Sequence, residues 1–65
     1  MIHVNGDPLE WTAGMTVRDV LTARNYKFPL LVITVDDAFV NRKDWDTTAV
    51  PNGANVKVVH LTSGG

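Results

Sequence analysis

The sequence predicts an α+β domain in which one amphipathic helix covers one face of a sheet. Three observations predict it: alternating apolar runs joined by tight-turn residues, a single stretch with apolar residues at helical spacing, and a closing segment that alternates again. The element order that results is β-β-α-β-β-β.

Ile2 and Val4 alternate with His3 and lead into Asn5-Gly6, a strong hairpin signal because both residues tolerate positive φ. Leu9 and Trp11 then alternate with Pro8 and Glu10, so residues 1–5 and 7–12 read as a hairpin, with Pro8 suited to an edge strand. Gly14 breaks this strand. Thr16 is placed to cap a helix, its hydroxyl accepting from the free N–H groups of the first turn, and Asp19 favours the positive end of the dipole. Val17, Val20 and Leu21 form the apolar stripe of a short helix over 17–24, with Arg18, Asp19 and Thr22 facing out and Asn25 as its stop.

After Phe28-Pro29, the β-branched run 31–35 ends in the polar turn Asp36-Asp37 and continues into Ala38-Phe39-Val40, a second strand pair. Between Asn41 and Thr48 the pattern is irregular around Trp45, which predicts a short helical turn pinned by the indole. Pro51-Asn52-Gly53 signals another turn, and residues 56–61 form the last strand. In that strand Val56 and Val58 share one face, while Lys57, Val59 and Leu61 share the other. Lys57 marks this second face as open to water, which leaves Val59 and Leu61 as apolar residues on an uncovered surface. Residues 1–61 are expected to be the folded domain and 62–65 a flexible tail.

The 65 residues make one small domain. A chain of this mass is expected to expose about 4,100 Å² folded against about 10,300 Å² unfolded, so its core is thin. Cysteine is absent, so neither disulfides nor zinc thiolates can supplement that core. A net charge of −1, with six scattered basic residues, offers no stripe for a phosphate backbone, so nucleic acid is not an expected partner. The longest apolar run, Leu30 to Ile33, is far short of a membrane span, and a signal-peptide start is lacking; a cytoplasmic location is the expectation.

The reactive-group census excludes most enzyme classes. No Ser-His-Asp order, glycine-rich phosphate loop or Cys nucleophile can be assembled, and no metal site is expected from His3 and His60, which sit on strands far apart in sequence. Asp36-Asp37 read as turn formers, and the Asp44 and Asp46 pair reads as structural. Trp11 and Trp45 read as core and pin residues. What remains is the end of the chain, Thr62-Ser63-Gly64-Gly65. Taken alone, it reads as a frayed terminus. The functional reading makes the Gly65 carboxylate the reacting group. Fully extended, the tail spans at most about 13 to 14 Å, enough to enter a narrow enzyme channel. Without Cβ atoms, Gly64 and Gly65 let such a channel close tightly on the backbone.

These features together resemble the ThiS branch of the ThiS/MoaD sulfur-carrier family over essentially the whole length. The residues that carry the resemblance are Val4-Asn5-Gly6-Asp7-Pro8, the helix entry from Gly14 to Leu21, the hairpin from Val32 to Val40, the turn from Arg42 to Trp45, Asn52-Gly53 with residues 56–59, and Gly64-Gly65. The sequence departs from the family pattern at Asp36-Asp37, where Asn-Gly is usual, and at Thr62-Ser63. The resemblance implies the ubiquitin-like β-grasp fold, a mixed sheet of about five strands with one main helix. It also implies a carrier that is not itself an enzyme, monomeric when free, with no bound cofactor.

By that resemblance, a ThiF/MoeB-like adenylating enzyme uses ATP to convert the Gly65 carboxylate to an acyl adenylate. A sulfur donor displaces AMP to give a thiocarboxylate, and a ThiG-like thiazole synthase consumes it for the thiazole of thiamine. Near pH 7 a thiocarboxylate is ionised, whereas a free cysteine, with pKa about 8.5, is mostly protonated. Ser63 and Gly64 belong to the tail, and Lys57, Val59 and Leu61 to the expected partner interface, with Lys57 at its rim. The alternatives are a carrier for molybdopterin or cysteine biosynthesis, and a binding module of the TGS type, which shares the strand and helix-entry pattern. The module normally belongs to long multidomain chains, and a chain ending at Gly-Gly speaks against it.

Overall fold

A computed structural model of the chain describes residues 1–26 and 30–61. The first hairpin joins β1 (Ile2–Val4) to β2 (Asp7–Leu9) through Asn5 and Gly6, at φ 51° and 86°, the double positive φ that a two-residue hairpin of this twist requires. β2 is shorter than the alternation suggests because β1 offers it no partner beyond Ile2, which pairs with Leu9. Trp11 instead turns inward, and its indole N–H donates to the Val50 carbonyl at 2.6 Å. Pro8 lies on an edge strand, as expected, and its carbonyl accepts from the Arg24 guanidinium at 3.0 Å.

Helix α1 (Val17–Ala23) starts at Thr16 with both halves of a capping box: the Thr16 hydroxyl accepts from the Asp19 N–H, and the Asp19 carboxylate accepts from the Thr16 N–H. The remaining first-turn donors are satisfied from elsewhere in the chain, Val17 N–H by the Thr48 carbonyl and Arg18 N–H by the Trp45 carbonyl. At the other end Asn25, at φ 59°, takes the left-handed position, with Tyr26 N–H donating to Leu21 O and Asn25 N–H to Thr22 O. This is the Schellman closure, and it explains why the helix stops one residue before Arg24. Replacing Thr16 with Ala removes the box. The expected cost is about 1 kcal/mol, which for a domain of this size lowers Tm by about 4–8 °C in a thermal melt.

β3 (Leu31–Val35) and β4 (Ala38–Val40) form the second hairpin across Asp36 and Asp37, both at positive φ. Asp tolerates this conformation through its short polar side chain. Asp36 also ties the turn to the last strand: its carboxylate accepts from the Asn55 N–H at 2.9 Å, and its own N–H donates to the Asn55 carbonyl at 2.8 Å. A 3-10 turn at Arg42–Asp44 precedes the buried Trp45. The Trp45 indole donates to the Val40 carbonyl, and the Arg18 and Arg42 guanidinium carbons lie 5.5 and 5.8 Å from its ring centroid. The indole therefore pins this segment, as the sequence indicated.

β5 (Asn55–His60) lies in the middle of the sheet, whose order is β2-β1-β5-β3-β4. It is parallel to β1 and antiparallel to β3, so the sheet is mixed. The strand is assigned one residue earlier than expected because Asn55 already pairs with His3, and Leu61 continues the ladder by donating to the Leu30 carbonyl at 2.9 Å. The core lies between the sheet and α1: Ile2, Val4, Ile33, Val35, Val40, Val56 and Val58 meet Val17, Val20 and Leu21, and Met15, Trp45, Val50 and Ala54 close the ends. This is the β-grasp arrangement, with a helix on one face only among the described residues.

Candidate functional site

The face of the sheet opposite the helix is the surface that distinguishes this domain. Strand alternation sends Val56, Val58, Ile33 and Val35 to the core and leaves Lys57, Val59, Val32 and Thr34 on the outer face. Register then assembles this face in rows, because directly opposed residues share a side. Lys57 and Phe39 both oppose Thr34, and Val59 opposes Val32. Leu61 lies beside Leu30, two residues further along each chain, joined by their backbone hydrogen bond.

The result is an apolar field that ends where β5 hands the chain on. Phe39 is 62% exposed, Val59 52%, Leu30 51% and Leu61 49%, while Val32 is half-buried between them. Large apolar side chains left this open side by side make this field the candidate site. Lys57, Val59 and Leu61, singled out from the sequence, all lie on it. Phe39, Val32 and Leu30 were not singled out. The alternation Leu30-Val32-Thr34, opposite in phase to Ile33-Val35, carried part of that signal, but Phe39 joins the field only through its pairing with Thr34.

The outer face is polar toward the two hairpin turns. An open-sided cavity of about 480 Å³ there is lined by His3, Asn5, Asp36, Asp37, Asn55 and Lys57 among others. Lys57 reaches Asp37 at 3.5 Å, both side chains largely in water, a geometry of little energetic consequence. Among the described residues no three His, Asp or Glu side chains gather as a metal site, and no helix is long and apolar enough to cross a membrane. Ser63, Gly64 and Gly65 lie outside the described residues.

A search of curated proteins gave no significant match. Among solved structures, the crystal structure of a thiamine biosynthesis protein (ThiS) from Geobacter metallireducens is similar, with a TM-score of 0.75 and 24% identity over 98% of this chain and 97% of that one. The family model described as the ThiS family matches residues 2–65. With that match running from the first strand through the terminal glycines, the chain belongs to the ThiS family.

Proposed function

We propose that this protein is a sulfur carrier whose reacting group is the Gly65 carboxylate, serving the thiazole of thiamine. As a ThiS-family member the chain is a small carrier and not itself a catalyst. The observation that carries the reading is the continuity of an open apolar sheet face with the strand that leads to Gly64-Gly65. Such a design separates two tasks. The folded body is gripped, and the tail reaches into another protein's active site.

A carboxylate resists nucleophilic attack because its negative charge is shared over both oxygens. In the proposed reaction a ThiF/MoeB-like enzyme joins the Gly65 carboxylate to the α-phosphate of ATP and releases pyrophosphate. A sulfide-level donor attacks the resulting acyl carbonyl, AMP leaves with the C–O bond pair, and a thiocarboxylate remains. A ThiG-like synthase then takes the sulfur. ATP is bound by the adenylating enzyme, the carrier holding no cofactor of its own, and the cycle belongs in the cytoplasm with the carrier monomeric between encounters.

The test is intact-mass measurement after incubation with ATP, a ThiF-like enzyme and a sulfide donor. Exchange of one oxygen for one sulfur at the C-terminus is expected, and an unchanged mass with a competent partner overturns the carrier reading. The apolar field is the proposed grip for both enzymes, with Lys57 at its rim. Leu61→Asp places a charge in that field without touching the core, so a melting curve within a few degrees of wild type is expected. Binding to the adenylating enzyme should weaken by about tenfold or more, read by titration calorimetry. Unchanged affinity would remove this face from the account.

A further inference from the structure

β1 ends at Val4, opposite Val56, whereas β5 continues to His60. The last backbone bond between the two strands runs from Asn5 N–H to the Val56 carbonyl at 2.9 Å, after which the chain turns away through Gly6. The next peptide edge that β5 presents on this side belongs to Val58. Both of its groups are met by one side chain: Val58 N–H donates to Asn5 Oδ1 at 2.8 Å, and Asn5 Nδ2 donates to the Val58 carbonyl at 3.1 Å. A primary amide carries a donor and an acceptor side by side, as a peptide edge does. The Asn5 side chain therefore supplies the rung that β1 is too short to make. Asn5 Nδ2 also lies 3.3 Å from the Tyr26 hydroxyl, to which it donates, just beyond the end of α1.

We propose that Asn5 is a positioning residue for tail delivery: its amide clamps Val58, so that β5 is held from both edges as far as Val58, two residues before its end at His60. The proposal rests on the carrier reading above. On its other edge β5 pairs with β3 through Val59 and His60, opposite Val32 and Leu31. With the clamp removed, Val58 loses both of its bonds on the β1 side, and the strand that carries the chain toward Gly65 is less firmly fixed. An enzyme that must receive the terminal carbonyl in one geometry then meets a competent arrangement less often, which appears as a higher KM.

Asn5 occupies a position at φ 51°, where Asn and Gly are the residues most readily accommodated. Asn5→Gly thus keeps the turn and deletes the clamp. Asn5→Asp keeps the acceptor for Val58 N–H but sets a carboxylate against the Val58 carbonyl. Thr16→Ala serves as a control, since it destabilises the fold at the helix start without touching β5.

The experiment measures pyrophosphate release by a ThiF-like enzyme as a function of carrier concentration, at a temperature where circular dichroism finds every variant folded. Amide hydrogen exchange is followed in parallel. Asn5→Gly is expected to raise KM for the carrier by about tenfold with kcat within about twofold of wild type, Asn5→Asp to fall between, and Thr16→Ala to leave KM unchanged. Exchange at Val58 should accelerate by about tenfold or more in Asn5→Gly while Ile33 stays protected. An unchanged KM, or a rise matched by Thr16→Ala, overturns the positioning role and leaves the carrier reading intact. A wild-type protein that is not adenylated overturns the carrier reading and the positioning role with it.

Discussion

A chain shortened by Gly65 is expected to acquire no sulfur. One residue of extended backbone spans about 3.3–3.6 Å, so the deletion withdraws the terminal carbonyl by that distance from the point where adenylation takes place. A misplacement of about 1 Å already costs on the order of a hundredfold in rate, and several times that distance should bring transfer below detection. Adding one residue beyond Gly65 overshoots by the same length and should be equally inactive. Neither change reaches the described body, whose last residue is Leu61, so both variants should melt like wild type. Intact mass measures the outcome. Sulfur gained by either variant at a rate near that of the full chain would mean that Gly65 is not the reacting end.

The second large effect is on the fold. Ile33 lies fully buried on β3, with Val40 on one side and Val58 on the other, under the helix stripe. Ile33→Ala is expected to cost about 2–5 kcal/mol in lost transfer energy and cavity formation. A domain of 65 residues has about 3–10 kcal/mol in total, so the substitution consumes much of the stability and lowers Tm by about 10 °C or more. Val59→Ala, on the opposite face of the neighbouring strand, should change stability by no more than about 0.5 kcal/mol. Thermal melts of the two variants side by side test whether one face of the sheet holds the fold while the other is left for partners. Equal losses would mean that the outer face is also structural.

Much of the fold was legible because its signals are local. Asn5-Gly6 specified its hairpin through backbone conformation, Thr16 its helix start through a hydroxyl three residues from its donor, and Val17, Val20 and Leu21 the buried stripe through helical spacing. Asp36-Asp37 formed the same kind of turn without glycine, and the structure adds what the sequence did not indicate, a carboxylate bonded to the Asn55 peptide. The site was legible only in part. Val59 and Leu61 followed from alternation along one strand, but Phe39 entered the apolar field through a cross-strand pairing, and Asn5 reached Val58 across 53 positions of sequence.

By itself the sequence determined which segments are strands and helix, which side of the last strand is apolar and open, and that Gly64-Gly65 follow that strand. These follow from turn chemistry and from periods of two and 3.6 residues, which act over a few neighbours at a time. Tertiary structure alone decided that β5 takes the centre of the sheet, that Phe39, Val59 and Leu61 share one surface, and that a turn residue completes a strand edge. Strand order and register are chosen by pairings between segments tens of residues apart, where burying one continuous apolar face outweighs any local preference.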